Sequence, residues 1–240
     1  MPRRPPKKPP ATLDLSGHLL RLADLPAPLD PGSLFLAATA PIELEVGSGK
    51  GMFLTAATAA DASRNFLGIE VSGGYARMTA GKLAQAGSPN GAIIHGDAMQ
   101  LVCSLLPDCC VAGVHVYFPD PWWKARHRKR RILNPLFLCH AARILPEAGR
   151  LHIWTDVEEY FEEAVAATAA TGLFGTPEDE SPGGLETPYR THFERRTRLA
   201  GAPVWRAVFR RNPIPAPDGR VPRAVRDPAD GGHSPAEPEG

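Results

Sequence analysis

Cysteine is scarce in this 240-residue chain, and its four copies, Cys103, Cys109, Cys110 and Cys139, form neither a CxxC pair nor a ligand ladder with histidine. That argues against a disulfide framework and a structural zinc site, and it fits a reducing, cytoplasmic setting. No metal is expected. Long apolar runs are missing too: none reaches membrane-spanning length, and the basic stretch Met1–Pro10 leads into no apolar signal region. Secretion and membrane insertion are set aside. Nor is there an internal repeat or an excess of charge of one sign, 27 Lys and Arg standing against 26 Asp and Glu. What remains is 43% hydrophobic residues in a chain of ordinary length, enough for one domain with a real core. The sequence does not set an oligomeric state; a monomer is the simpler expectation.

Proline is what the chain has in excess. Its 26 copies are roughly twice an average share of about 5%, and they crowd the ends. Residues 1–11, which carry Arg3, Arg4, Lys7 and Lys8, and residues 212–240 are expected to be disordered tails. Between them lie an N-terminal extension, 12–40, and a folded domain, 41–211. The balanced net charge hides a local asymmetry: Lys124 to Arg131 is intensely basic, whereas Glu158 to Glu163 is acidic.

In the folded domain, short runs rich in Ile and Val alternate with longer Ala-rich stretches, the pattern of a parallel sheet covered by helices. Strands are predicted near 41–47, 65–71, 91–96, 111–118 and 149–155, and helices near 50–60, 73–86, 98–106, 135–145 and 157–171. Asn134 and Pro135 mark the start of the fourth helix as cap and first helical residue. Two extended segments near 191–199 and 204–211 are predicted to pair as an antiparallel hairpin at the sheet edge. The expected fold is α/β: a doubly wound, Rossmann-like, seven-stranded and mostly parallel sheet with helices on both faces.

Such sheets bind ligands at the carboxyl ends of their strands. Here those ends carry Glu45 before Gly47-Ser-Gly49-Lys-Gly51, then Glu70, Asp97, Asp120 and Asp156. One such acid reads more readily as a helix cap or a surface charge; five on one rim point to a site. The loop spacing disfavours NAD, because Met52 stands where the third glycine of GxGxxG belongs. It also fails as a Walker A loop, which needs a glycine where Leu44 stands and a hydroxyl residue where Gly51 stands. A glutamate two residues ahead of the loop is awkward beside a pyrophosphate and suits a ligand with ammonium and sulfonium cations. Cation chemistry therefore favours S-adenosylmethionine. Glu70 is placed to accept from ribose hydroxyls, and Asp97, with the backbone of Ala98, to reach the adenine.

The sharpest segment is Phe118-Pro-Asp-Pro-Trp-Trp-Lys-Ala-Arg-His-Arg-Lys-Arg-Arg131. Two prolines restrict the backbone on either side of Asp120 and aim its carboxylate at low entropic cost. Lys124, Arg126, Arg128, Lys129, Arg130 and Arg131 then crowd ahead of a helix amino terminus, where the macrodipole disfavours cations. Something anionic must offset them, and nucleic acid is the natural candidate. His95, His115, His152, Tyr160 and Phe161 read as packing residues.

Together, Leu44 to Gly51, Gly68-Ile-Glu70, Phe118 to Lys124 with its basic continuation, Thr155-Asp156 and Thr191-His-Phe-Glu194 resemble the bacterial tRNA (guanine-N7-)-methyltransferases, class I enzymes that act on guanine 46 of the variable loop. The resemblance spans 41–211. It implies that Glu45, Gly47, Gly49, Gly51, Glu70, Asp97 and Ala98 hold S-adenosylmethionine, and that Asp120 is catalytic and close to the cofactor. It also implies that Lys124, Asp156, Thr191, His192, Phe193 and Glu194 meet the substrate tRNA, while Arg126, Arg128, Lys129, Arg130 and Arg131 hold its backbone. The chain departs from the family pattern at Trp123, where His is common, and at His192, where Lys is common. Two other readings stay open: the same fold acting on another RNA, and a non-catalytic RNA-binding relative.

Overall fold

Strand register explains how residues far apart in sequence reach one rim. The structure is a computed structural model and describes residues 6, 8–180 and 191–213. Seven strands form one sheet: β1 (Leu19–Arg21), β2 (Ile42–Val46), β3 (Asn65–Glu70), β4 (Gly91–His95), β5 (Gly113–Tyr117), β6 (Arg150–Thr155) and β7 (Trp205–Arg210). Their order is β1-β4-β3-β2-β5-β6-β7, and every pair is parallel except β6 with β7. The order reverses at β2, so the crevice between the loops after β2 and β5 is the switch point where such sheets bind ligands. Val46 pairs with Ile69 on one side and Val116 on the other, and Tyr117 pairs with Trp154. The loops that carry Gly47, Asp120 and Asp156 therefore leave from adjacent strand ends.

Helices α1 (Met52–Ala60) and α2 (Gly73–Ala86) cover one face, against Phe66, Ile93 and Trp154. The other face, with Leu44, Val46, Leu67, Ile69, Val114, Val116 and Ile153, packs on α3 (Ala98–Gln100, continued by a π turn over Leu101–Leu105), α4 (Pro135–Ile144) and α5 (Glu158–Ala170). The alternation of these positions along each strand follows the two-residue period of the pleat. Each fully buried Leu or Ile in the two layers contributes about 1.5–3 kcal/mol. As predicted, Asn134 caps α4, its side chain accepting from Phe137 N at 3.0 Å, with Pro135 in the first turn.

The sheet is seven-stranded with an antiparallel β6–β7 pair, but its elements differ from the expectation in two places. The segment near 191–199 is a helix, α6 (His192–Leu199), so β7 pairs with β6 instead. Thr191 Oγ1 accepts from Glu194 N at 2.9 Å to cap α6, and Gly201 follows it with φ +67°. The seventh strand comes from the N-terminal extension, where β1 pairs with β4 and His18 Nδ1 lies 2.8 Å from Gly91 O. Of the N-terminal tail, residues 6 and 8–11 are described, and Pro6 and Pro9 lie against α2. Most of the C-terminal tail, from 214 on, lies outside the described residues.

Candidate active site

The glycine loop begins where β2 ends. Gly47, Gly49 and Gly51 have φ of +80°, +51° and +66°, a backbone region in which a side chain is strained. Gly51 has a second constraint: a Cβ there would lie 2.3 Å from Thr79 Cγ2 of α2. The loop is tied to the next strand by Glu70, whose Oε2 accepts from Gly49 N and whose Oε1 accepts from Ser72 N, both at 2.8 Å. Two lone pairs per oxygen leave this carboxylate with accepting capacity for a ribose. Glu45 is only 3% exposed, and its Oε2 has no hydrogen-bond partner of normal geometry among the described residues. Burial pushes its pKa up to about 8, the nearby Ser48 hydroxyl opposing and the Glu70 charge adding to the shift. Asp97 caps α3, accepting from Gln100 N at 3.0 Å through Oδ1, and Ala98 opens that helix.

Asp120 is exposed on the loop that follows β5. Phe118 and Trp122, on either side of it, have φ of +50° and +44°, which costs about 1–3 kcal/mol each for residues with a side chain. Phe118 N donates to Trp154 O at 2.7 Å and so keeps the loop on the sheet. The Trp122 ring lies under the Arg130 guanidinium at 5.2 Å with His127 edge-on at 5.8 Å, while Trp123 points to solvent.

The basic run winds through a 3-10 turn, Ala125–Arg130, and its cations divide. Lys124, Arg126, Lys129 and Arg130 are exposed. Arg128, also exposed, pairs with Glu159 at 2.8 Å and Glu163 at 3.2 Å, so the acidic stretch of α5 offsets part of the run from within the chain. Arg131, expected among the RNA-backbone residues, is placed differently from the others. Its guanidinium turns inward, 7% exposed, where Nε donates to Pro121 O at 2.7 Å and Nη1 pairs with Glu163.

Helix α6 roofs this rim. Phe193 stacks on Phe118 with ring centres 5.9 Å apart, and Thr197 Oγ1 donates to Asp156 Oδ2 at 3.4 Å. Phe193 is 38% exposed, so it offers part of its ring outward. Thr191 and Glu194, expected at the substrate, face inward. Thr191 serves as the cap, and Glu194, fully buried, lies 3.3 Å from both Arg198 and Arg206. Arg206 in turn lies 4.7 Å over the Trp154 ring. The His192 side chain lies outside the described residues. Sequence reasoning gave no role to Arg206 or to the Phe118 ring; the only sequence sign was their place at the ends of β7 and β5.

The histidines under the rim do pack. His115 lies 2.8 Å from Tyr117 Oη and from Glu43 Oε2, and its ring stacks on His152 at 4.4 Å. Burial lowers the His115 pKa to about 4, with the neighbouring His152 adding, so it is neutral at pH 7. Among the described residues no group of three or more His, Cys, Asp or Glu is placed to hold a metal ion, and no helix is long and apolar enough to cross a membrane.

A family profile described as "Putative methyltransferase" matches residues 39–207. A tRNA (guanine-N(7)-)-methyltransferase of Rhodopirellula baltica is 41% identical over 219 residues, 88% of this chain and 80% of that protein. The chain belongs to the tRNA (guanine-N(7)-)-methyltransferase family. The methyltransferase is also 36% identical to the protein of that name from Cupriavidus necator, over 83% of this chain and 76% of the relative. Among solved structures, the 16S rRNA methyltransferase KamB is similar in fold, with a TM-score of 0.53 at 19% identity over 72% of this chain and 88% of that one. S-adenosylmethionine is the methyl donor of the family, and the residues present fit it. The buried Glu45 carboxyl, with one unpartnered oxygen, calls for a cation; Gly47 and Gly49 leave open backbone; and Glu70 is fixed at the tip of β3.

Proposed function

We propose that this methyltransferase moves the methyl group of S-adenosylmethionine to N7 of guanine 46 in the tRNA variable loop, giving 7-methylguanosine. One observation carries the reading. The strand register sets the glycine loop and the Asp120 turn on adjacent strand ends, and the exposed cations Lys124, Arg126, Lys129 and Arg130 follow that turn directly.

When bound, the cofactor supplies a sulfonium-activated methyl group; the N7 lone pair forms the new N–C bond while the S–C bonding pair goes to sulfur. Glu45, the loop at Gly47 and Gly49, and Glu70 would hold the donor, and Asp97 and Ala98 would take its adenine. Guanine N7 bears no proton, so no residue here has to act as a general base, and alignment does much of the work. Positive charge moves onto the purine as the methyl transfers, and the Asp120 carboxylate stabilises it there. Asp120 or Asp156 also accepts from guanine N1–H and the exocyclic amine, a pattern adenine lacks, at about 1–3 kcal/mol of discrimination. The exposed cations, with Arg195 and Arg196 on α6, position the phosphate backbone.

Labelled methyl transfer to unmodified tRNA, followed by chemical cleavage at 7-methylguanosine, tests the reading. Cleavage at one site in the variable loop is the expected result. Label incorporated elsewhere, or equal turnover on a tRNA with adenine at that site, rejects it.

A further inference from the structure

We infer that Arg131 is a positioning residue that clamps the Asp120 turn, and that it does not contact RNA. It ends a run of six cations, yet its side chain is directed away from solvent and engaged by groups of the protein itself. Nε donates to the carbonyl of Pro121, the residue next to Asp120, at 2.7 Å. Nη1 pairs with Glu163 of α5, and the guanidinium lies 4.8 Å over the ring of Tyr160 on the same helix. Its backbone is anchored as well: Arg131 N donates to Arg128 O at 2.9 Å, and Arg131 O accepts from the side chain of Asn134, the cap of α4, at 3.0 Å.

The turn has reason to need such a hold. Phe118 and Trp122 both occupy the left-handed region of φ within two residues of Asp120, so the loop persists only where its surroundings over-determine it. Phe118 is tied to the sheet through Trp154 O, which fixes the entry to the turn. Pro121 has no N–H to give, so its carbonyl is the backbone handle at the exit, and Arg131 holds it. A planar guanidinium reaches that carbonyl and the Glu163 carboxylate at once, a geometry an ammonium does not reproduce. Arg131 thereby links the catalytic loop to α4 and α5. A misplaced Asp120 would leave cofactor and RNA binding in place and slow the chemical step.

The inference rests on the role given to Asp120 above. Its test compares Arg131→Lys and the milder Glu163→Gln with wild type and with Arg130→Ala, in single-turnover methylation and in tRNA affinity measured across a salt series. Amide hydrogen exchange of residues 118–123 is followed in the free proteins. Arg131→Lys is expected to lower kcat about tenfold to a hundredfold, with tRNA KM and the salt slope as in wild type, and to speed exchange in 118–123 alone. Glu163→Gln should move the same quantities in the same direction by less. Arg130→Ala should instead raise KM and flatten the salt slope. The inference is overturned if Arg131→Lys raises KM and flattens the slope at unchanged kcat, if it leaves kcat and local exchange as they were, or if exchange accelerates throughout the core strands. Should wild type itself not methylate guanine N7, the reading of the site falls, and the exchange data still decide for or against the clamp.

Discussion

Cofactor binding should expel a proton from Glu45. The carboxyl is 3% exposed, Oε2 has no hydrogen-bond partner among the described residues, and burial puts its pKa at about 8. At pH 7 about one carboxyl in ten is then ionised, and at pH 6.5 about one in thirty. A cation from the donor favours the ionised form, so binding below about pH 7 carries the loss of nearly one proton. Affinity for S-adenosylmethionine should therefore rise by close to tenfold from about pH 6 to 7 and by about fivefold from pH 7 to 8. Isothermal calorimetry at pH 6.5 in buffers of different ionisation enthalpy reads the proton directly; at that pH the donor's own amine, with a pKa of about 7.7–8.0, is almost wholly protonated and adds little. The free protein should show the linked effect. The unfolded chain releases this proton near the ordinary value of 4.5 and the folded chain holds it to about 8, so the free enzyme loses stability as pH rises through that window. Glu45→Gln should abolish both dependences. Buffer-independent heats, or a Glu45→Gln variant that keeps the affinity slope, would refute the reasoning.

Asp120→Ala should cost about a hundredfold or more in single-turnover rate with tRNA affinity within a few-fold of wild type; an equal loss of binding would show that the residue serves docking. Replacing Lys124, Arg126 and Lys129 together by Ala should weaken tRNA binding and reduce the slope of log affinity against log salt by about 0.7–0.9 for each phosphate no longer neutralised, while donor binding measured by calorimetry stays unchanged. Arg128→Ala should do less in the same salt series, since Glu159 and Glu163 already neutralise that side chain. Gly51→Ala combines a left-handed φ with overlap on Thr79, and should lower unfolding stability in urea by about 2–4 kcal/mol; an unchanged midpoint would mean that the loop shifts freely.

The parallel body of the sheet is legible in the sequence because local signals agree. Ile and Val runs, Ala-rich helices, the Asn134–Pro135 start and the glycine loop all point the same way. The segment 191–199 reads as a strand although it carries a helix signature, Thr191 three residues ahead of Glu194 and Gly201 beyond the end. Its weak apolar content hides that signal, since α6 is held largely by the Glu194 pairs and the Phe118–Phe193 stack, which are tertiary. The short β1 escapes notice because three residues show no period; pairing with β4 makes the strand. The acids of the site emerge one by one from strand ends. Which of the six cations face solvent is not legible, because that depends on where α5 brings Glu159 and Glu163.

Two glycines seven positions apart on α2 make a shallow trough. A Cβ at Gly74 would sit 2.7 Å from Pro6, and one at Gly81 would sit 2.7 Å from Pro9. An alanine methyl at either position would have to displace a proline ring, so it is the missing side chain on the helix that makes room for these two prolines.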